Sequence, residues 1–353
     1  MLAEESARAV LEVMLEDMAS QKAVYQPTVF WSAASEMISA DLRTNGFSNF
    51  RALPSSLEFF VPTYGIPGNS MTQDEFAALE QVMLKTNEPG SKKHVAFKQL
   101  LSGEFWAYSD YRVYLAGDMP GKRPELQLLS ESKIGSPFEH FCFDNRWLSR
   151  SFLNYLQGIV FLKRNVDSAD ISTVLEIGGG FGTLGEILFK AGNYAYINVD
   201  IPPTAAVATY YLRAVVGDNF KDYSETKKMN TIAVPSCGTS IVICPWQLPR
   251  LEGRVDLFVN FISFQEMEPE VVRCYLDEID RLKVRYVLLR NLREGKAKMS
   301  DNVKYGVRNP IRSSDYDLYL KNYEIISTNV VPFGHRTVDG YHSELRLYKR
   351  KEA

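Results

Sequence analysis

The sequence is poor in cysteine and histidine, and it has neither a long apolar run nor an excess of one charge. Its 4 cysteines are widely and irregularly spaced, which excludes a CxxC metal pair and a disulfide framework and predicts reduced cytoplasmic thiols. Lys and Arg total 40 and Asp and Glu total 43, so no basic surface for nucleic acid is expected. Apolar stretches fall short of the roughly 20 residues that span a bilayer, and Glu4 and Glu5 stand where a signal peptide is positively charged. These absences favour a soluble, cytoplasmic protein that binds small molecules.

What the chain does contain is the composition of a folded protein. Hydrophobic residues make up 45% and charged residues 24% of its 353 residues, close to the averages for globular domains. This length exceeds the roughly 100–200 residues of one domain, so two domains are expected. The sequence pattern changes near residue 170, which predicts a mainly helical domain over 1–165 and a second domain over 166–353.

The second half alternates short apolar strands with helices. Strands are predicted over 174–177, 196–201, 240–244, 255–264 and 285–289, and helices over 184–191, 205–216, 269–282 and 315–320. This alternation predicts an α/β fold with a Rossmann-like parallel sheet and helices on both faces. Two last strands, 323–331 and 343–349, have no helix between them and are expected to form a terminal antiparallel hairpin. Ligands of such sheets bind at the carboxyl ends of the strands.

The strongest local motif is a glycine-rich turn between the first of these strands and the helix that follows. It contains Gly178, Gly180 and Gly182, which permit positive φ and let a ligand approach the backbone. Exposed amides at the helix start add hydrogen-bond donors. Gly180, Gly182 and Gly185 also match GxGxxG, the dinucleotide fingerprint. A nicotinamide cofactor and S-adenosylmethionine are therefore both candidates.

Acidic residues beside the turn favour S-adenosylmethionine. Glu176 lies two residues before the first glycine, where its carboxylate is expected to face the ligand, repelling a pyrophosphate and attracting a cationic amino acid. Asp200 ends the second strand, where it can accept both ribose hydroxyls or, alternatively, cap the next helix. Ile201, Trp246 after the third strand and Asn260 in the fourth are further candidates for cofactor binding. Trp246 can flank the adenine or simply anchor its loop.

These residues resemble the first motif and second strand of class I S-adenosylmethionine-dependent methyltransferases. More narrowly, three stretches resemble a family of sugar O-methyltransferases from bacterial polysaccharide gene clusters. They are Phe30-Trp31 with Gly46-Phe47-Ser-Asn-Phe50-Arg51, then Glu176-Ile-Gly-Gly-Gly-Phe-Gly182 with Val199-Asp-Ile-Pro202, and Asn260-Phe-Ile-Ser263-Phe-Gln265-Glu266-Met267. The resemblance implies a methyltransferase domain over 166–353. Residues 1–165 are expected to form an acceptor-binding or accessory domain, because the loops after the fourth and fifth strands are short and pockets form preferentially where two domains meet. The resemblance also implies methyl transfer to a hydroxyl of a sugar or sugar-containing metabolite in polysaccharide or glycoconjugate biosynthesis.

A sugar hydroxyl needs a base to remove its proton as it attacks a methyl group. Glu266 follows the fourth strand, whose carboxyl end should face the cofactor, and is the first candidate; it can instead cap the next helix. His335, in the last loop, is the second candidate because histidine titrates near neutrality. His140, among aromatic residues before the sheet, is the third, and both histidines can instead be solvent-facing or buried in the core. No metal-ligand pattern is present, so direct transfer without a metal is expected.

Two other functions are compatible with the same sequence. A catalytically inactive partner protein would keep the cofactor-binding turn and lack a working acceptor site. A nicotinamide-dependent reductase would use the turn for a dinucleotide. A homo-oligomer is compatible with the sequence.

Overall fold

Helices dominate the amino-terminal half of the chain. The structure, a computed structural model, describes residues 2–65, 73–85, 88–300, 306–337 and 339–352. Within these ranges the elements of this half are α1 (Leu2–Ala19), α2 (Val29–Asn45), α3 (Pro54–Phe59), α4 (Gln73–Lys85), α5 (Lys92–Ser102), α6 (Glu104–Gly117), a hairpin of β1 (Phe141–Phe143) and β2 (Arg146–Leu148), and α7 (Arg150–Asn165). None of the described helices is long and apolar enough to cross a bilayer.

Strands and helices alternate after α7. In chain order they are β3 (Thr173–Ile177), α8 (Thr183–Ala191), β4 (Ala195–Val199), α9 (Thr204–Val216), β5 (Phe220–Lys221), α10 (Tyr223–Thr226), β6 (Ile232–Ala233), β7 (Ser240–Ile243), β8 (Leu251–Glu252), β9 (Leu257–Phe261), α11 (Pro269–Arg281), β10 (Tyr286–Leu292), α12 (Ser313–Tyr319), β11 (Tyr323–Asn329), β12 (His335–Arg336) and β13 (His342–Arg350). The short strands β5, β6, β8 and β12 were not predicted from the sequence.

The main sheet has the strand order β11-β13-β10-β9-β3-β4-β7-β5. Neighbouring strands from β10 to β5 run parallel, whereas β13 runs antiparallel to both β10 and β11. The predicted Rossmann-like sheet with a terminal antiparallel hairpin is therefore confirmed. The direction of strand addition reverses between β3 and β9, because β4 and β7 follow on one side and β10 on the other. Such a switch point opens a crevice at the carboxyl ends of the strands.

Alternate residues of each strand point to opposite faces of the sheet and build two apolar cores. Leu175 and Ile177 of β3 pack with residues of α11 and α12 in one core. Val174 belongs to the other core, which is shared with residues of α1, α2, α6 and α7 such as Leu11, Ile38, Tyr111 and Leu156. The helices of the amino-terminal half thus cover one face of the sheet, and residues on both sides of the predicted boundary at residue 165 share a core.

The end of β9 differs from the sequence prediction. The strand expected over 255–264 stops at Phe261, because Ile262 adopts a φ of 73°, outside the extended region. The chain continues as one turn of 3-10 helix over Ser263–Glu266. It therefore crosses the carboxyl end of the sheet instead of extending along it, and this carries Glu266 to the crevice.

Candidate active site

The glycine-rich turn joins β3 to α8 at the switch point of the sheet. Gly178, Gly180 and Gly182 have φ angles of 70°, 55° and 96°, a region that residues with a Cβ rarely adopt. A Cβ on Gly178 would collide with Ser263, whereas the space beside Gly180 is open. The turn therefore presents bare backbone to the crevice at Gly180, as close approach of a ligand requires.

Asp200 follows β4 and is tied to this turn. Its carboxylate accepts the Gly180 N–H at 2.8 Å, the Ile201 N–H at 2.8 Å and the Thr204 hydroxyl at 3.1 Å. Burial raises the pKa of Asp200 to about 7 in spite of these donors, and the negative charge of Glu266 also acts to raise it. The carboxylate is therefore held at the crevice by the backbone of both the turn and the chain after β4.

A cavity of about 220 Å³ lies at this point, between the carboxyl edge of the sheet and the amino-terminal half. From the sheet side it is lined by residues 177–181, Asp200, Ile201, Pro245, Ser263, Glu266 and Tyr275, among others. The amino-terminal half contributes Gln26, Thr28, Trp31, residues 57–60, Pro62, Ser151, Asn154 and Tyr155. Ligand pockets form preferentially where two such parts of a protein meet.

Glu266 lines this cavity on the turn after β9. Its carboxylate Oε1 lies 2.7 Å from Nζ of Lys296, and its backbone carbonyl accepts the Thr28 hydroxyl at 3.0 Å. Lys296 Nζ also lies 3.8 Å from the centroid of the Phe30 ring. Among the described residues the carboxylate bonds to Lys296 and not to the amides of α11, so the capping alternative does not apply. One carboxylate oxygen remains for a ligand in the cavity.

Asn260 lies beneath the turn and not at the cavity wall. Its buried side chain donates to the Ile177 carbonyl at 2.8 Å and to Ser263 Oγ at 2.6 Å. Its Oδ1 accepts from Asn291 Nδ2 at 3.1 Å. These bonds join β3, β9 and β10 just below the glycine turn. Asn260 therefore positions the turn against the segment that carries Glu266.

Glu176 does not line the cavity, which corrects the expectation that its carboxylate faces the ligand. Residues alternate along β3, and Glu176 points to the face covered by α7, where it accepts the hydroxyls of Tyr155 at 2.6 Å and Tyr196 at 2.5 Å. It is fully buried, and burial raises its pKa to about 7. A Cβ on Gly179 would lie 2.8 Å from Glu176 Oε2. The carboxylate therefore lies next to the turn without reaching the cavity wall.

Gly182 and Trp246 also lie outside the cavity wall. The side-chain direction of Gly182 is filled by Leu212, so this glycine serves the packing of α8 against α9. Trp246 donates its indole N–H to the Tyr223 hydroxyl at 3.0 Å, as expected for a loop anchor. Its neighbour Pro245 lines the cavity instead.

Neither histidine candidate lines the cavity. His140 packs on Trp147 with ring centroids 5.1 Å apart, and burial lowers its pKa to about 4. His335 lies on the exposed strand β12 and pairs with Ser343. Of the three predicted bases, Glu266 alone lines the cavity. The described residues also include no cluster of three or more His, Cys, Asp or Glu that could hold a metal ion.

The sequence prediction missed the cavity wall formed by α7. Ser151, Asn154 and Tyr155 follow helical spacing within a helix that is otherwise largely apolar. Polar residues at such positions fall on one face, and here that face is turned to the cavity. The spacing was a detectable signal, but nothing local indicated that the face meets a ligand site.

Two carboxyls with raised pKa values make the stability of the protein depend on pH. In the unfolded chain Glu176 and Asp200 titrate near pH 4, whereas in the folded chain the pKa of each is about 7. Between these values the folded chain binds more protons than the unfolded chain, so the free energy of unfolding falls as the pH rises from about 4 to about 7. For Glu176 the shift corresponds to roughly 3 kcal/mol.

Glu176→Gln is expected to remove the contribution of Glu176 to the pH dependence of the free energy of unfolding. The amide retains polar atoms for the two tyrosine hydroxyls and does not ionise. In urea unfolding between pH 5 and pH 8, the variant should gain roughly 2–3 kcal/mol relative to wild type as the pH rises. Glu270→Gln, which removes an exposed carboxylate on α11, is the control and should leave the slope unchanged. If the free energy of unfolding changed with pH in the same way for wild type and Glu176→Gln, Glu176 would ionise freely in the folded chain.

Solved methyltransferases show low structural similarity to this chain. Magnesium protoporphyrin IX methyltransferase from Synechocystis PCC 6803 with bound S-adenosylhomocysteine is 14% identical, with a TM-score of 0.40 over 57% of this chain and 84% of that chain. The same protein with bound S-adenosylmethionine is 14% identical, with a TM-score of 0.39 over 80% of this chain and 100% of that chain. The glycopeptide N-methyltransferase MtfA is 12% identical, with a TM-score of 0.35 over 56% of this chain and 86% of that chain. No family model and no curated protein matches the sequence. Similarity at this level assigns no activity or acceptor to this chain.

Proposed function

We propose that this chain is an S-adenosylmethionine-dependent O-methyltransferase that acts on a hydroxyl of a sugar or sugar-containing metabolite. One observation carries the proposal: the glycine turn, Asp200 and Glu266 line a single cavity at the switch point of the sheet. A cofactor site and a proton acceptor therefore border one space. Three parts of the proposal are inferred from the sequence alone. They are the sugar as acceptor, the cytoplasmic location and the role in polysaccharide or glycoconjugate biosynthesis. The amino-terminal half serves as the acceptor-binding part.

The residues present fit S-adenosylmethionine. Open space beside Gly180 admits a ligand against the backbone, and the ionised form of Asp200 can accept ribose hydroxyls in charge-assisted hydrogen bonds. Ile201, Pro245 and Tyr275 offer apolar surface to an adenine ring. The charged side chains that line the described cavity are all acidic, which suits the positive charges of this cofactor.

The same geometry argues against a dinucleotide. In dinucleotide-binding folds the pyrophosphate lies on free amides at the start of the helix after the turn. Here the Gly180 N–H already donates to the carboxylate of Asp200, and Glu176 lies directly beneath Gly179. A pyrophosphate would meet negative charge at this turn, so a nicotinamide-dependent reductase is disfavoured. The place of Glu266 in the cavity likewise disfavours a catalytically inactive partner.

The chain's own residues would orient the acceptor and move its proton. Bound S-adenosylmethionine supplies a methyl group activated by the positive sulfur. Glu266 takes the proton of the acceptor hydroxyl on the oxygen that Lys296 does not occupy. Lys296 balances the charge of this carboxylate, while Thr28 and Asn260 fix the backbone that carries it. Trp31 and its aromatic neighbours line the cavity, and an apolar wall that displaces water strengthens these electrostatic interactions.

The proposal is tested by a transfer assay on the whole chain. Incubation with methyl-labelled S-adenosylmethionine and a panel of sugars should label an acceptor and release an equal amount of S-adenosylhomocysteine. In thermal unfolding, S-adenosylhomocysteine should stabilise the protein and NADH should not. Binding of S-adenosylhomocysteine without transfer to any hydroxyl would support the inactive partner. Stabilisation by NADH alone would support the reductase.

Asp200→Ala should weaken S-adenosylhomocysteine binding by about tenfold or more. Two charge-assisted hydrogen bonds to the ribose are lost at about 1.5–3 kcal/mol each, and water replaces part of them. Isothermal titration calorimetry measures the change. Asp218→Ala removes an exposed carboxylate just after α9 and should bind as wild type does. An unchanged dissociation constant for Asp200→Ala would remove Asp200 from the cofactor site.

A further inference from the structure

The cavity has acidic walls and no basic ones among its described residues. Its charged lining residues are Glu58 of α3, Asp200 after β4 and Glu266 after β9, and none is Lys, Arg or His. Lys296 is already engaged with Glu266. A diphosphate or carboxylate on an acceptor would therefore find no counter-charge at the described cavity wall and would be repelled by its acids.

Helix α7 brings uncommitted hydrogen-bonding groups to the same cavity. Ser151 and Asn154 are three residues apart, which places them side by side on one helix face. Neither side chain has a hydrogen-bond partner among the described residues, although Ser151 is only 8% exposed. Behind them, Arg290 donates to the backbone carbonyl of Asn154 at 3.0 Å and anchors the helix. The side chains of Ser151 and Asn154 are therefore available to form hydrogen bonds with a ligand in the cavity.

Aromatic rings complete this side of the cavity. Trp31 of α2 and Phe59 at the end of α3 both line it, with ring centroids 6.4 Å apart and planes inclined at 46°. Flat apolar ring surfaces pack well against the C–H face of a sugar ring, while the sugar's hydroxyls need polar partners at its edge. An aromatic surface, free polar groups and the absence of basic groups from the described wall together fit an uncharged, hydroxyl-rich ring.

We propose that the acceptor is an uncharged sugar, bound by Ser151 and Asn154 and packed against Trp31 and Phe59, and that sugars linked to a nucleoside diphosphate are rejected. The inference rests on the proposed methyl transfer and narrows its acceptor class. The Asn154 amide can donate to one hydroxyl and accept from its neighbour, and Ser151 can do either. Glu58 lines the cavity and is exposed, so its charge opposes an approaching anion.

Matched pairs of acceptors test the charge selection. Methyl glucoside, methyl galactoside and methyl N-acetylglucosaminide are each compared with the UDP-linked form of the same sugar, using methyl-labelled S-adenosylmethionine. An uncharged glycoside should be methylated with a kcat/KM at least tenfold above that of its UDP-linked form. The opposite order would overturn the inference and leave the proposed function standing. Transfer to neither class, with normal S-adenosylhomocysteine binding, would overturn both.

Substitutions on the wall test the residues themselves. The double variant Ser151→Ala/Asn154→Ala should raise KM for the glycoside at least tenfold and leave the dissociation constant of S-adenosylhomocysteine unchanged. Asn165→Ala, at the end of the same helix and outside the cavity wall, should change neither quantity. Glu58→Gln should improve kcat/KM for the UDP-linked sugar relative to the glycoside by at least threefold. An unchanged KM in the double variant, or a loss of S-adenosylhomocysteine affinity, would overturn the assignment of Ser151 and Asn154.

Discussion

Glu266→Gln should lower kcat at least a hundredfold and leave the dissociation constant of S-adenosylhomocysteine near that of wild type. The amide has the shape of the carboxylate and can still accept from Lys296, whose Nζ lies 2.7 Å from Glu266 Oε1. The turn after β9 therefore keeps its geometry. The amide cannot take a proton, and a positioned base contributes about 10²–10⁴-fold to such a reaction. A fall in kcat with unchanged cofactor affinity is what loss of a base alone predicts.

Glu270→Gln is the matched control for this experiment. Glu270 lies in the first turn of α11 and is exposed, so removing its charge has only a screened effect on the cavity. Its kcat should stay close to wild type. If Glu266→Gln loses only a few-fold while His335→Asn abolishes turnover, His335 is the base. If both remain active, the base lies in the amino-terminal half.

Gly180→Val should weaken S-adenosylhomocysteine binding at least a hundredfold. Gly180 lines the cavity with a φ of 55° and open space on its side-chain side. Valine would occupy the space that the ligand needs. It would also resist the left-handed backbone conformation, which costs about 1–2 kcal/mol for a residue with a Cβ and restricts a branched side chain further. Calorimetry measures the affinity, and urea unfolding measures the strain.

Gly217→Val separates the two effects of this substitution. Gly217 has a φ of 69° and equally open space, but it ends α9 and does not line the cavity. Both variants should lose a similar part of the free energy of unfolding, and only Gly180→Val should lose affinity. A comparable loss of affinity in both would attribute the effect to backbone strain. Normal binding by Gly180→Val would mean that the turn holds no ligand.

Much of the fold could be predicted because its signals are local. The apolar strand β3, the glycines after it and the helix α8 are consecutive in the chain. Gly178 and Gly180 adopt a positive φ readily because glycine has no Cβ. The repeated alternation of strand and helix then determined a parallel sheet. The position of Asp200 at the end of β4 followed from the same pattern, so its place at the crevice was expected before any packing was known.

The direction of side chains and the make-up of the cavity were decided only by tertiary structure. Glu176 occupies the predicted strand, yet its carboxylate is bonded to Tyr155 and Tyr196 and does not line the cavity. The cavity is also lined from segments far from the glycine turn in the sequence, by Trp31, Glu58, Ser151, Asn154 and Tyr155. Their meeting depends on long-range burial of apolar surface between α1, α2, α6, α7 and the sheet. By itself the sequence determined most of the strands and helices after residue 165, their order and the glycine turn, because backbone conformation follows local residue preference. Which residues form the cavity wall depended on how the helices pack. Burial of apolar surface has no preferred direction, so the local sequence does not show which segment will cover it.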